Sequence, residues 1–328
     1  MKALVCHAYG PIDTLTLDVV PDPKPGSGEV LVGVRACGIN FPDLLVVQGK
    51  YQFKPTPPFS PGGEVAGVVE AVGADVSDVR VGDRVVALGS MGGIAEKFVT
   101  NASRTAPIPD GVDFATAACL PTAYGTTLHA LRDRAQMRAG ETLLVLGAAG
   151  GVGLSAVQIG KRMGARVIAA ASSPEKLEIC RQEGADEVID YAHEDLKERV
   201  KALTGGSGAD VVYDAVGGPF TEPALRATAW EGRFLVIGFA AGDIPRVPTN
   251  LTLLKGCSIV GVFWGMAMMR DPARLRGQLA ELLAWTADGS LRPHIHARYP
   301  LERALDALKD IEARKVRGKA VVVVGGDA

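Results

Sequence analysis

The 328-residue chain has no Cys-x-x-Cys pair. Its five cysteines, Cys6, Cys37, Cys119, Cys180 and Cys257, are odd in number and widely scattered. They support neither a disulfide framework nor a cysteine-rich zinc lobe, and a reducing, cytoplasmic compartment is the expectation. An excess of one charge is lacking too: 35 Lys and Arg against 37 Asp and Glu leave a net charge of −2, with no basic run. A nucleic-acid partner therefore has no electrostatic footprint. The opening MKALVCHAYGP holds no apolar run long enough for a signal peptide. One stretch does lack charge, LLVLGAAGGVGLSAVQIG at 143–160, but five of its 18 residues are glycine. A spanning helix needs roughly 20 mostly apolar residues, and each glycine costs about 1 kcal/mol of helix propensity. Ser155 and Gln158 dilute the run, and Arg138, Glu141, Lys161 and Arg162 flank it. No membrane span is expected.

What is present is ordinary for a globular protein: 47% hydrophobic and 22% charged residues, in a length that suits two domains. The 40 glycines follow no repeat and point to many tight turns. The first 120 residues read as short valine-rich strands, EVLVGVRA (29–36), GEVAGVVEAVG (63–73), DRVVAL (83–88) and AEKFVT (95–100), bounded by Gly and Pro. A short helix is predicted at 42–48. From about Pro121 strands alternate with helical patterns, at 142–147, 166–172, 187–191, 210–216, 233–239 and 258–264. That alternation implies an α/β fold with a doubly wound parallel sheet. The tail reads as a helix (272–288), a strand at ARYPL, a helix (301–314) and a strand at 320–324. It is too small to stand alone and is expected to pack on the N-terminal part. The boundaries follow: a discontinuous domain of 1–121 with 265–328, and a nucleotide-binding domain of 122–264.

The uncharged stretch now has a context. TLLVLG is a strand, VGLSAVQIGKRM a helix, and Gly147, Gly150, Gly151 and Gly153 lie at their junction. A glycine turn between strand and helix is the setting of a dinucleotide fingerprint. Glycine lets backbone approach a pyrophosphate, and the helix N-terminus supplies free N–H groups. Ala149, Gly150, Gly151 and Val152 are expected over the pyrophosphate. The spacing departs from GxGxxG, with Ala148 where the first glycine would fall. For NAD, an acidic residue is expected about 20 residues on. Ser172 and Ser173 stand there instead, with Lys176 nearby and Tyr191 ending the next strand, a set suited to the 2′-phosphate of NADPH. The plainer reading of Ser-Ser-Pro is a helix cap.

NFPDLLVVQGKYQ (40–52), VGDRVVAL (81–88), AAGGVGLSAVQIGK (148–161), GADEVIDY (184–191) and DVVYDAVGG (210–218) together resemble the medium-chain dehydrogenase/reductase superfamily, in its zinc-free quinone oxidoreductase (zeta-crystallin-like) branch. The resemblance covers the whole chain. It implies a GroES-like catalytic domain, a Rossmann domain between its two parts, and NADPH in the cleft. Zinc-dependent alcohol dehydrogenases of the superfamily carry metal ligands in ACGxC and GHE segments. Here these read ACGIN and PGGE, with Asn40 in place of a cysteine and Gly63 in place of a histidine. Three well-placed ligands are not available, so no bound metal is expected, and Cys37 and Cys119 read as small buried apolar residues.

By resemblance, Asn40, Tyr51 and Thr126 lie near the nicotinamide. Asn40 either donates to substrate oxygen or positions the ribose. Tyr51 is a proton donor, a cofactor lid or a pocket wall, and with an ordinary pKa of about 10 it is a poor acid at neutral pH. Asp43 is read as orienting the loop. Phe239 and Val262-Phe263-Trp264 are expected against the nicotinamide half, Trp264 equally as plain core. Arg314 and Lys319 either reach cofactor phosphates or are helix-end charges. Without a Lewis acid, the acceptor must spread the incoming charge itself. The resemblance therefore implies an NADPH-dependent quinone reductase, with a reductase of α,β-unsaturated carbonyls or enoyl thioesters as the alternative. A cofactor-binding protein without important turnover is the reading from another class. A homodimer through the edge strand at 258–264 is also expected.

Overall fold

The computed structural model describes residues 1–325. Two compact units divide the chain. One comprises Met1–Ala123 with the segment from Met268 onward, the other Tyr124–Ala267.

The chain begins with strands β1 (Lys2–Val5) and β2 (Thr16–Val19), an antiparallel pair absent from the sequence reading. Strand β3 (Glu29–Ile39) leads into helix α1 (Phe41–Val47), followed by β4 (Glu64–Val72), β5 (Arg84–Leu88), β6 (Lys97–Asn101), β7 (Thr105–Pro107) and helix α2 (Phe114–Ala118). The second unit opens with α3 (Gly125–Leu128) inside a run of irregular helical turns from Leu120 to Arg134. Then come β8 (Thr142–Leu146), α4 (Gly151–Arg162), β9 (Arg166–Ala171), α5 (Pro174–Gln182), β10 (Glu187–Asp190) and α6 (Leu196–Leu203). Its second half holds β11 (Ala209–Asp214), α7 (Thr221–Arg226), β12 (Thr228–Val236), α8 (Asn250–Lys255), β13 (Ser258–Gly261) and the start of α9 (Trp264–Arg270). The return segment carries α10 (Pro272–Ala287), β14 (Ile295–Pro300), α11 (Ala304–Glu312) and β15 (Lys319–Val323).

The first unit is built on a sheet in the order β14-β15-β3-β4-β5-β7, with β6 beside the early half of β3. The last strand is thus an inner strand rather than an edge, paired parallel to β14 and antiparallel to β3. Val30, Val32, Cys37, Val65, Val69, Val322 and Ala304 form part of one core. The second unit holds a six-stranded parallel sheet in the order β10-β9-β8-β11-β12-β13. Leu143, Leu144, Val145 and Leu146 are fully buried, as a strand covered on both faces requires. The GroES-like and Rossmann-type α/β architecture expected from the sequence is present.

Three expectations need correction. The edge strand is not 258–264. It stops at Gly261, and Trp264 opens α9, where Met, Ala and Met-Met favour helix. The strand at 210–216 ends at Asp214, because its carboxylate accepts the N–H groups of Val216 (2.9 Å) and Gly217 (2.8 Å) and turns the chain. Arg314 lies beyond α11, at φ 56°. No helix among the described residues is long and apolar enough to cross a membrane.

Candidate functional site

The parallel sheet aligns the nucleotide-binding candidates of the second unit. In register, Asp190 pairs with Ala171, Leu146 with both Ala170 and Asp214, Asp214 with Val236, and Val236 with Gly261. The residues that follow these carboxyl ends are Tyr191, Ser172, Gly147, Ala215, Ile237 and Val262, so the sequence candidates converge on one end of the sheet. Strand order reverses between β8 and β11. That switch point is where open α/β sheets bind ligands.

The glycine turn between β8 and α4 explains its own irregular spelling. The tight turn falls at Gly147, with φ 66°, so Ala148 needs no unusual backbone. Gly150 spends its N–H within the turn, on Gly147 O at 3.0 Å. The first intrahelical bond of α4 is Leu154 N to Gly150 O. The amides of Gly151, Val152 and Gly153 therefore stand ahead of the helix ladder, where an anion is favoured. At Gly153 a Cβ would lie 2.2 Å from Gly147 O, so only glycine lets the helix close on the turn. Beneath it, Thr127 Oγ1 bonds Ser155 Oγ (2.6 Å) and Tyr213 OH (2.9 Å), tying α3, α4 and β11 together.

At the end of β9, Lys176 Nζ donates to Ser172 Oγ at 3.3 Å. Ser173 caps α5, its Oγ accepting from Lys176 N at 3.5 Å. Capping thus falls to Ser173, whereas the Ser172 hydroxyl is bonded to the Lys176 ammonium. Tyr191 is half-buried, its ring 4.3 Å from that of Phe220. Phe239 is half-buried, and Phe263 is half exposed. Trp264 is buried and covers α3 so closely that a Cβ on Gly125, beside Thr126, would meet its indole at 2.7 Å.

The first unit holds a buried polar cluster at the start of α1. Asn40 caps the helix: its N–H donates to Asp43 Oδ2 (2.7 Å), and its carbonyl accepts from Asp43 N (3.0 Å). Its side-chain Nδ2 donates to Glu64 Oε1 at 2.7 Å. Lys319 Nζ donates to Glu64 Oε1 (2.8 Å), Asn40 Oδ1 (2.5 Å) and Ile39 O (3.1 Å). Thr122 N donates to Glu64 Oε2 at 2.7 Å. The ion pair is sealed, with side-chain exposures of 2% for Lys319 and 0% for Glu64. Burial works hardest against the Lys319 ammonium, but the Glu64 charge and hydrogen bond, together with Cys119 and Asp43, outweigh it and hold the pKa above that of ordinary lysine. Burial raises Asp43 to about 7, Glu64 adding to the effect against the Asn40 amide and Lys319. Burial likewise pushes the Cys37 thiol far up and Cys119 to about 12.

Lys319 is therefore not a phosphate ligand, as the sequence allowed, but a buried partner of the Asn40 side chain. What disguised it was position: Lys319 falls between the last helical pattern and the apolar run AVVVV, and reads as a helix-end charge. Tyr51 packs half-buried against the core of this unit, its phenol pKa raised first by burial and then by Asp43. Arg314 is exposed in the same unit.

A discontinuous GroES-like unit with a Rossmann-type unit inserted in it, its glycine turn at the switch point, defines a two-unit nucleotide-dependent dehydrogenase. A family model described as alcohol dehydrogenase GroES-like domain matches residues 26–110, and one described as zinc-binding dehydrogenase matches 151–285. The quinone oxidoreductase-like protein 2 of Rattus norvegicus is 42% identical over 98% of this chain and 91% of its own length. A quinone oxidoreductase of Pseudomonas aeruginosa is 38% identical over 98% of this chain and 99% of its own. A mycobacterial protein solved in complex with NADPH superposes with a TM-score of 0.92 at 34% identity, covering 98% of this chain and 100% of the other. The chain belongs to the medium-chain dehydrogenase/reductase superfamily, as an oxidoreductase of its quinone oxidoreductase-like branch.

Proposed function

We propose that the chain is an NADPH-dependent reductase that delivers hydride to a quinone without a metal ion. The observation that carries this reading is the cluster around Asn40. Both oxygens of Glu64 are engaged, one by the buried Lys319 ammonium and the other by Thr122 N–H. Asn40 is an amide, and the Cys37 thiol resists ionisation. This donor set does not fit zinc, whose ligands are thiolate, imidazole or carboxylate. A quinone spreads incoming negative charge over its ring, so hydrogen-bond donors are sufficient for it.

The second unit fits the cofactor. The open amides at the start of α4 face an anion, Ser172, Lys176 and Tyr191 supply donors for a 2′-phosphate, and the glycine turn leaves backbone bare. When bound, NADPH supplies the hydride. Asn40 donates an N–H to the acceptor oxygen, and Tyr51 shapes the pocket; the one proton that, with the hydride, completes a hydroquinone comes from solvent. Relatives named quinone oxidoreductases, and neighbours solved with NADPH, support the same reading. The edge strand β13 is proposed as the seam of a homodimer.

Steady-state oxidation of NADPH across simple benzoquinones, enals, enones and enoyl thioesters tests the proposal. Benzoquinones should turn over with no added metal and in the presence of chelators. Turnover restricted to enals or thioesters favours the alternative acceptor class. No turnover with any acceptor, despite tight NADPH binding, overturns the enzymatic reading. One zinc per chain by elemental analysis, with activity lost on its removal, overturns metal independence.

A further inference from the structure

Glu64 and Lys319 open the two strands, β4 and β15, that flank β3, and Asn40 directly follows the last residue of β3. Ala320 pairs with Ile39, and Gly38 pairs with Glu64. The register thus carries Lys319 opposite Asn40, with Glu64 on the other side of β3. The side-chain amide of Asn40 is consequently held between two groups of opposite hydrogen-bonding character. An ammonium only donates, so Lys319 binds the oxygen end. A carboxylate only accepts, so Glu64 binds the nitrogen end. An asparagine amide flipped by 180° would face both partners with the wrong atoms. All three Lys319 N–H groups are used, on Ile39 O, Asn40 Oδ1 and Glu64 Oε1. The Asn40 amide keeps one N–H that neither partner engages, and the residue is partly exposed.

We infer that Lys319 and Glu64 are positioning residues that fix the polarity of the Asn40 amide, so that its remaining N–H, and not its oxygen, is presented to the acceptor. The inference rests on the reading of Asn40 as the donor to substrate oxygen. A pair that only joined strands would need no asparagine between its members. Here the amide bonds to both, and its orientation depends on the pair being charged in this sense.

The test is a mutant cycle read as kcat/KM for 1,4-benzoquinone with NADPH, alongside the NADPH dissociation constant and the melting temperature. The double substitution Lys319→Met with Glu64→Gln removes both charges at once, so no buried charge is stranded. It should lower kcat/KM by at least about tenfold, because orientation carries much of the barrier, and leave NADPH affinity within about twofold. Asn40→Ala should show a comparable loss. Adding the double substitution to Asn40→Ala should cost no more than about a further twofold, since residues that act as one unit are non-additive. Multiplicative losses, or a double variant with unchanged kcat/KM, overturn the positioning role. An Asn40→Ala variant with full activity instead defeats the reading of Asn40 itself. Should the double variant not fold, Glu64→Gln in both backgrounds reports the same coupling or its absence.

Discussion

At the scale of single residues, Asp43 carries a pH signature. Its pKa rises to about 7 in the folded chain, from the ordinary carboxylate value of 3.8. Between those values the folded state holds the proton more tightly than the unfolded state. The stability this contributes is complete below about pH 4 and is lost as pH climbs through 7. Chemical denaturation from pH 4 to 8 should show wild type losing stability relative to Asp43→Asn, by at most about 1.4 kcal/mol per pH unit, with no further relative loss above the window. A parallel pH dependence in both proteins would show that Asp43 ionises normally. Lys176 makes a second prediction. A hydrogen bond to a charged group contributes about 1.5–3 kcal/mol, so Lys176→Ala should weaken NADPH about tenfold or more and leave NADH nearly unchanged. Equal weakening of both cofactors would remove Lys176 from the 2′-phosphate. For Tyr51→Phe, a loss of at most about tenfold in kcat/KM for benzoquinones is expected, about 1.4 kcal/mol. Enones should suffer more, because their enolate oxygen is more basic. Abolition of both activities with NADPH binding intact would make Tyr51 an obligatory acid.

At the scale of elements, the turn between β8 and α4 separates two kinds of glycine. A Cβ at Gly153 would collide with Gly147 O, whereas one at Gly150 would meet only Gly147 O at 3.5 Å. Gly153→Ala should destabilise the protein by about 1–3 kcal/mol as an overpacked site. Gly150→Ala should change stability by less than about 1 kcal/mol. Denaturant midpoints measure both, and equal stabilities would contradict the packing given for Gly153. This turn was legible in the sequence because strand, glycine and helix are local patterns. So were the six parallel strands, which alternate with helices at a regular spacing. The N-terminal hairpin escaped, since β1 and β2 are four residues each and are joined across ten intervening residues. The end of the edge strand was misread because Val-Phe-Trp is as apolar as a strand, and nothing local marks where α9 begins. The partnership of Asn40, Glu64 and Lys319 was invisible for a different reason: it is made by pairing across strands, and no local pattern encodes a contact 255 residues apart.

At the scale of the molecule, the parallel sheet ends in β13, with Ile259 41% exposed. An unpaired edge bearing apolar side chains is a template for a second chain. Light scattering should report a dimer at micromolar concentration, and Val260→Lys should shift it toward monomer with a lower melting temperature. A wild-type monomer would rule the seam out. The inner place of β15 has another consequence, in time rather than in space. Synthesis at about 5–20 residues per second separates Glu64 from Lys319 by about 10–50 s. The contiguous Tyr124–Ala267 unit emerges whole within that interval and should fold first. The first unit has to wait, its principal sheet missing an inner strand and its acidic residue without a counter-ion. A nascent chain arrested shortly before Lys319 should therefore already protect the inserted unit from protease while the older, N-terminal part is still cut.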